Sequence, residues 1–110
     1  MSETVLRDLA SFELLLQQPR VLVFSHSPAC PISAAARDQY EEFRRTRPDA
    51  RTAFVDVIAD RTVALAVAER AGIRRESPQA VLFEEGRLVW HAAHRAITAS
   101  ILAAAWAPRC

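Results

Sequence analysis

The stretch Phe24-Ser25-His26-Ser27-Pro28-Ala29-Cys30-Pro31-Ile32-Ser33 joins a predicted buried strand to a predicted helix. The apolar run Val21–Phe24, which leads into it, is typical of a strand that is covered on both faces. Pro31 is the residue type preferred at the first position of a helix, and apolar residues with helical spacing follow it. Cys30 is therefore expected at a helix N-terminus, where unpaired N–H groups and the helix dipole favour an anion.

The residue types in this turn favour a reactive thiol. Cysteines at helix N-termini form the thiolate more readily than free cysteine does, and the thiolate is the form that attacks disulfides. Ser33 stands where a dithiol redox protein carries its second cysteine, so Cys30-Pro31-Ile32-Ser33 is a one-thiol version of the Cys-x-x-Cys turn. The alternative is a buried Cys30 that acts as a small apolar core residue, which is common for free cysteines.

Length and composition predict a single domain over residues 1–110. Hydrophobic residues make up 51% of the 110 residues and only two residues are glycine, which indicates one packed core rather than disorder. Fourteen basic residues face 13 acidic residues, and this balance argues against nucleic acid as a partner. No signal sequence and no membrane-spanning apolar run is visible, so we expect a cytoplasmic protein without a membrane partner.

Apolar spacing and end signals predict the remaining elements. Val5, Leu9, Phe12 and Leu16 recur at helical steps, so an N-terminal helix is expected before Pro19. The elements expected after it are a strand at Val21–Phe24, a helix from Pro31 to about Thr46, a strand at Ala53–Val57, a helix over Arg61–Ala71 that starts after Asp60 and ends at Gly72, strands at Ala80–Phe83 and Leu88–Trp90 around a tight turn at Glu85-Gly86, and a last helix capped by Thr98.

This order predicts an α/β domain, with an N-terminal helix followed by β-α-β-α-β-β-α and a four-stranded mixed sheet between helices. A cysteine after the first strand and Pro78 before the third resemble the thioredoxin-like arrangement, in which that proline is usually cis and lies beside the thiol. If the third strand runs antiparallel to the first and to the fourth, residues 26–33, 76–79 and 91–98 meet around Cys30.

The converging segments carry polar side chains with more than one possible role. His26 either helps to stabilise the thiolate or only hydrogen-bonds the turn. His91 and His94 lack further Cys, Asp or Glu partners at ligand spacing, so no metal site is expected. A Cys–His hydrolase needs an oxyanion hole and a group that holds the base, and neither is recognisable. The two histidines therefore either recognise a small anionic ligand beside Cys30 or are ordinary surface residues. The last residue, Cys110, either reaches another thiol or is an accidental exposed cysteine.

Three blocks of the sequence are specific enough to indicate a family. They are Ser27–Ala35 with its Cys-Pro-Ile-Ser centre, Glu76–Ala80 with Glu-Ser-Pro-Gln, and Trp90–His94 followed by Ile97-Thr98. Together they resemble the monothiol bacilliredoxins, small redox proteins of the bacillithiol system, over nearly the whole chain. The sequence departs from that pattern at Arg95, where an aromatic residue is associated with the family.

The resemblance implies a thioredoxin-like fold and thiol–disulfide exchange. Cys30 attacks a mixed disulfide between bacillithiol and a client protein, and then carries bacillithiol until a second bacillithiol or a partner reductase frees it. Bacillithiol is thus the co-substrate, and no tightly bound cofactor is expected. The candidate catalytic residues are Cys30, Pro31 and Ser33, whose hydroxyl is expected to donate a hydrogen bond to the thiolate. The candidate thiol- and substrate-binding residues are His26, Ser77, Pro78, Gln79, His91, His94, Arg95 and Thr98.

Two further functions are compatible with the sequence. One is a monothiol glutaredoxin-like carrier that holds an iron–sulfur cluster between two subunits, with Cys30 and a small thiol as ligands. The other is a non-catalytic binding module that uses Cys30 as a redox sensor. Visible absorbance after anaerobic purification distinguishes the carrier, and turnover in a de-thiolation assay separates an enzyme from a sensor.

Overall fold

The computed structural model describes residues 2–107, so Met1 and residues 108–110, including the predicted second thiol Cys110, lie outside the described residues. The β-strands of this range are β1 (Ser2–Val5), β2 (Arg20–His26), β3 (Arg51–Asp56), β4 (Gln79–Glu84) and β5 (Arg87–Ala93). The α-helices are α1 (Leu9–Leu15), α2 (Pro31–Thr46), α3 (Arg61–Ala71) and α4 (Ala99–Trp106), and a short 3₁₀ turn occupies His94–Ala96.

One mixed sheet carries these strands in the order β1-β3-β2-β4-β5. Strand β3 runs parallel to β1 and β2, whereas β4 runs antiparallel to β2 and to β5. Helices α1 and α3 pack on one face of the sheet and α2 and α4 on the other, each pair closing its own hydrophobic cluster. The arrangement confirms the predicted α/β class, with a mixed sheet between two helical layers.

The prediction that the chain starts with a helix and has a four-stranded sheet is wrong at the N-terminus. Residues Ser2–Val5 form a fifth strand that pairs with β3, and α1 begins only at Leu9 after its N-cap Asp8. Val5, predicted on the apolar face of the helix, lies in β1 and is 45% exposed. A four-residue edge strand is held by main-chain hydrogen bonds to a partner far along the chain, so local apolar spacing does not reveal it.

The predicted ends of the other elements are largely confirmed. Helix α2 begins at Pro31, and Gly72 ends α3 with a left-handed φ of 70°. The Thr98 hydroxyl accepts the Ile101 N–H at 3.2 Å and so caps α4. Asp60 occupies the N-cap position of α3, although its carboxylate makes no capping hydrogen bond there.

Candidate functional site

Cys30 lies at the junction between the end of β2 and the start of α2. Its backbone is extended, with φ −114° and ψ 123°, and its side chain makes no capping hydrogen bond to the helix. Its N–H donates to the Ser27 carbonyl at 3.2 Å, and its own carbonyl accepts the Ala34 N–H at 3.1 Å. The thiol is free and partly exposed. A nucleophile is therefore presented at the N-terminus of a long helix, where anions are favoured.

Ser33, in the fourth position of the Cys-Pro-Ile-Ser turn, is fully buried. Its hydroxyl accepts the Ser27 N–H at 2.8 Å and lies 3.2 Å from Nδ1 of His26. These two contacts tie the first turn of α2 to the end of β2 underneath Cys30. The position that holds a second thiol in dithiol redox turns is thus occupied by a hydroxyl that holds the turn in place.

His26 is buried under the same turn, with 6% of its surface exposed. Its ring stacks on Phe24 and lies against Phe54, at centroid distances of 6.1 and 5.5 Å. Burial, reinforced by the positive charge of Arg37, lowers the pKa of His26, and the carboxylate of Asp56 opposes this only in part. The imidazole is therefore neutral near pH 7, so it offers no positive charge to a thiolate, and the contact that the structure shows is the one to Ser33.

The strand register brings three distant segments to one edge of the sheet. Ser25 of β2 faces Gln79 of β4, and Gln79 faces Ala93 of β5. The Ser77–Pro78 peptide bond immediately before β4 is cis, in agreement with the expectation for a thioredoxin-like fold. The turn that carries Cys30, the cis proline and the start of the 3₁₀ turn therefore lie at the same edge.

Gln79 and Ser77 flank the cis proline, and the Gln79 side chain and the Ser77 hydroxyl are both buried. Gln79 is buried, and its side-chain amide donates to the Arg74 carbonyl at 3.0 Å, so it holds the preceding loop. The hydroxyl of Ser77 is buried and has no hydrogen-bond partner within residues 2–107. A buried hydroxyl without a partner is uncommon, and it marks this loop as a place where a ligand could supply the missing hydrogen bond.

The structure does not bring His91 together with Cys30. His91 pairs directly with Val81, whose side chain belongs to the core on the α1/α3 face, and directly paired residues share a face. Helix α2, which carries Cys30, covers the opposite face. An irregularity between Leu82 and Phe83 shifts the β4–β5 register by one residue, and this shift sets the face on which His91 lies.

His94 lies at the edge with the cis proline. Its N–H donates to the Pro78 carbonyl at 3.0 Å, and its ring Nε2 lies 2.7 Å from Oε1 of Glu76. Its φ of 57° is left-handed, which is unusual for a residue with a side chain and turns the chain sharply out of β5. Arg95 follows it in the 3₁₀ turn and is exposed, and Thr98 caps α4 just beyond.

Sequence reasoning missed Glu76, Arg37 and Phe54 as parts of the site. Glu76 contacts His94, and the Arg37 guanidinium lies 4.6 Å above the ring of Phe54, which in turn packs on His26. Glu76 belongs to the segment 76–79 that the sequence placed near Cys30, but no role was assigned to its side chain there. Nothing local pointed to Arg37, because it meets its partners only when α2 packs on the sheet.

Residues 2–107 offer neither a metal centre nor a membrane-spanning helix. No group of three or more His, Cys, Asp or Glu side chains in this range is arranged to hold a metal ion. Within the same residues, no helix has the length and apolar content that crossing a lipid bilayer requires.

Comparison with known proteins assigns the chain to a family. Residues 5–102 match the family described as monothiol bacilliredoxin BrxC. The chain belongs to the monothiol bacilliredoxin family. A solved protein with a thioredoxin fold, provisionally described as an oxidoreductase, is 35% identical over 94% of this chain and 92% of its own, with a TM-score of 0.87. These matches confirm a thioredoxin-like fold and a thiol redox function.

More distant structures support the fold alone. Mitochondrial thioredoxin 3 from Saccharomyces cerevisiae is 19% identical, with a TM-score of 0.73 over 93% of this chain and 91% of its own. Thioredoxin from Trypanosoma brucei brucei is 12% identical, with a TM-score of 0.76 over 92% of this chain and 84% of its own.

The buried contacts of Ser33 predict a stability loss in Ser33→Ala. The variant leaves the Ser27 N–H and the His26 ring nitrogen without their partner, so the free energy of unfolding should fall by about 1–3 kcal/mol. Urea denaturation measures the loss, and the exposed Ser100→Ala serves as a matched control that should change stability by less than about 0.5 kcal/mol. Equal, small losses in both variants would contradict the role assigned to Ser33.

The lowered pKa of His26 predicts a pH-dependent stability. The unfolded chain binds a proton at a higher pH than the folded chain does, so the free energy of unfolding rises as the pH increases towards about 6.5. This stabilisation is complete above the unfolded-state pKa and is lost as the pH falls below it. His26→Asn should flatten that part of the profile, and the exposed His91→Asn should keep it. Urea midpoints measured between about pH 5 and 8 test this, and a flat wild-type profile would refute it.

Proposed function

We propose that this protein is a monothiol thiol–disulfide oxidoreductase that removes bacillithiol from protein mixed disulfides through Cys30. The observation that carries the proposal is the Cys-Pro-Ile-Ser turn. It offers one partly exposed thiol at the start of α2, at the same edge of the sheet as a cis proline, with a buried serine in place of a second cysteine. Membership of the monothiol bacilliredoxin family supports bacillithiol as the small thiol.

The reaction consists of two balanced exchanges. The Cys30 thiolate attacks the bacillithiol sulfur of the mixed disulfide, which forms a Cys30–bacillithiol disulfide and releases the client cysteine as a thiolate. The thiolate of a second bacillithiol then attacks the bacillithiol sulfur on Cys30, which restores the Cys30 thiolate and releases bacillithiol disulfide. A partner reductase that supplies two electrons is the other route for this second step. The proposed partners are therefore bacillithiol-modified clients and one of these electron donors.

Because residue 33 is a serine, the thiol that frees Cys30 has to come from another molecule. A hydroxyl cannot form a disulfide with Cys30, so the Cys30–bacillithiol intermediate does not collapse within the turn. The Ser33 hydroxyl also contacts Ser27 and His26. We also propose that the Ser33 hydroxyl donates a hydrogen bond to the Cys30 thiolate, which requires Nδ1 of His26 to carry the ring proton so that the hydroxyl proton is free.

Recognition of the substrate is assigned to the edge that carries the cis proline. Bacillithiol bears malate carboxylates, and His94 and Arg95 lie beyond β5 as donors for an anion. The N-terminus of α4 follows at Thr98 and its dipole favours an anion, although its Ala99 and Ile101 N–H groups already bond to Gln39 and Thr98. The Pro78 carbonyl is already bonded to the His94 N–H, so the thiol-bearing part is assigned to the backbone and the unpartnered hydroxyl of Ser77. We place the reaction in the cytoplasm, where small thiols keep cysteines reduced.

Cys30→Ser is expected to abolish de-thiolation and to leave the fold intact, because serine is nearly isosteric and lacks the nucleophilic sulfur. The measurement is release of bacillithiol from a modified client, followed by intact mass. Cys110→Ser, the matched control, should keep most of the activity. Turnover by a homogeneous Cys30→Ser sample would refute the assignment, whereas loss of activity in Cys110→Ser together with a Cys30–Cys110 disulfide would identify Cys110 as a resolving thiol.

His94→Ala is expected to slow exchange with bacillithiol mixed disulfides by about tenfold to a hundredfold. This is the scale of a charge-assisted hydrogen bond of about 1.5–3 kcal/mol. Second-order rate constants with bacillithiol disulfide and with uncharged hydroxyethyl disulfide give the test, and the loss should be much smaller with the uncharged reagent. Equal losses with both reagents would mean that His94 acts on the thiol or the fold rather than on recognition.

A further inference from the structure

The contact between Glu76 and His94 lies where the proposed function needs a free cationic or donor group. Oε1 of Glu76 is 2.7 Å from Nε2 of His94, and the two side chains are 39% and 48% exposed. Glu76 precedes the cis Ser77–Pro78 bond by one residue, and His94 begins the 3₁₀ turn after β5. The Glu76 carboxylate is thus bonded to the His94 ring nitrogen to which the carboxylate of an anionic thiol would bind.

The edge is held together without this side-chain pair. The His94 N–H donates to the Pro78 carbonyl at 3.0 Å, and the Ile97 N–H donates to the His94 carbonyl at 3.2 Å. The Gln79 amide fixes the loop before the proline through the Arg74 carbonyl. Exposed side-chain pairs of this kind contribute little to stability because water solvates both partners well when they separate. The Glu76 carboxylate can therefore leave His94 while the backbone of the edge stays in place.

We propose that Glu76 is a specificity-determining residue that competes with the carboxylates of the incoming thiol for His94. The proposal rests on the proposed function, since it concerns the anion-recognition edge beside Cys30. When the site is empty, Glu76 bonds to His94. A ligand carboxylate displaces Glu76 and takes over His94, with the neighbouring Arg95 adding positive charge. A thiol without a carboxylate makes no such exchange, and when an anionic product leaves, Glu76 returns.

Repulsion between carboxylates sets the direction in which Glu76 changes the preference for anionic ligands. Two carboxylates cannot share one imidazole without repulsion, so an anionic ligand has to overcome the bond that Glu76 makes. Removing the negative charge of Glu76 should therefore favour anionic disulfides over neutral ones. If Glu76 instead served to orient His94 towards the ligand, its removal would disfavour anionic disulfides. The two roles predict opposite signs.

The test compares Glu76→Gln with wild type, using 3,3′-dithiodipropionate as the anionic disulfide and hydroxyethyl disulfide as the neutral one. The quantity measured is the ratio of the two second-order rate constants for modification of Cys30. This ratio should rise by about twofold to fivefold in Glu76→Gln, which is the scale of an exposed polar side-chain interaction. Glu85→Gln makes the same charge change at the far end of the sheet, in the β4–β5 turn, and should leave the ratio within experimental error.

A double-mutant cycle shows whether Glu76 acts through His94. In the His94→Ala background, Glu76→Gln should no longer change the ratio, because the group for which Glu76 competes is absent. An unchanged or lowered ratio in Glu76→Gln, or the same rise in both backgrounds, would overturn the proposal.

The same reagents keep this proposal separate from the proposed function. Failure of wild-type protein to react with bacillithiol mixed disulfides would refute the bacillithiol assignment. The dithiodipropionate ratio would still report on Glu76, because that probe carries carboxylates but no part of bacillithiol.

Discussion

The pairing of β4 between β2 and β5 is the constraint on which the site depends. Ser25, Gln79 and Ala93 lie side by side across the three strands, so one strand start and two strand ends meet at a single edge. The Cys30 turn, the cis proline and the 3₁₀ turn are attached to those three points. Because side chains alternate between the two faces of a sheet, a slip of one residue in this register would exchange the faces of all the residues around the thiol.

The Cys-Pro-Ile-Ser turn differs from a dithiol turn in its hydrogen bonds as well as in the missing sulfur. The buried Ser33 hydroxyl accepts the Ser27 N–H and contacts the ring of the buried His26. A thiol is a weak hydrogen-bond acceptor and would satisfy that N–H poorly. The serine thus supports the backbone under Cys30 and at the same time leaves the thiol without an internal partner for disulfide formation.

The three histidines have the same side chain but lie in different surroundings. His26 is enclosed by aromatic rings, which lowers its pKa and keeps it neutral. His94 is exposed, contacts a carboxylate and sits in a left-handed turn beside the cis proline. His91 lies on the sheet face away from α2. Burial, hydrogen bonding and position relative to Cys30 therefore differ among them, although the three side chains are the same.

Features that depend only on neighbours in the chain could be predicted from the amino-acid sequence. The apolar run of β2, the proline at the start of α2, Gly72 after α3 and the Thr98 cap all act within a few residues, so local pattern predicts them. Contacts between residues far apart in the chain depend on how the strands pair and the helices pack, and they became visible only in the folded structure. Strand β1 exists because β3 offers it hydrogen bonds, and Glu76 reaches His94 because β4 and β5 pair. His91 faces away from Cys30 because one irregularity in the β4–β5 ladder shifts the strand by a residue, and no local pattern in β5 records that shift.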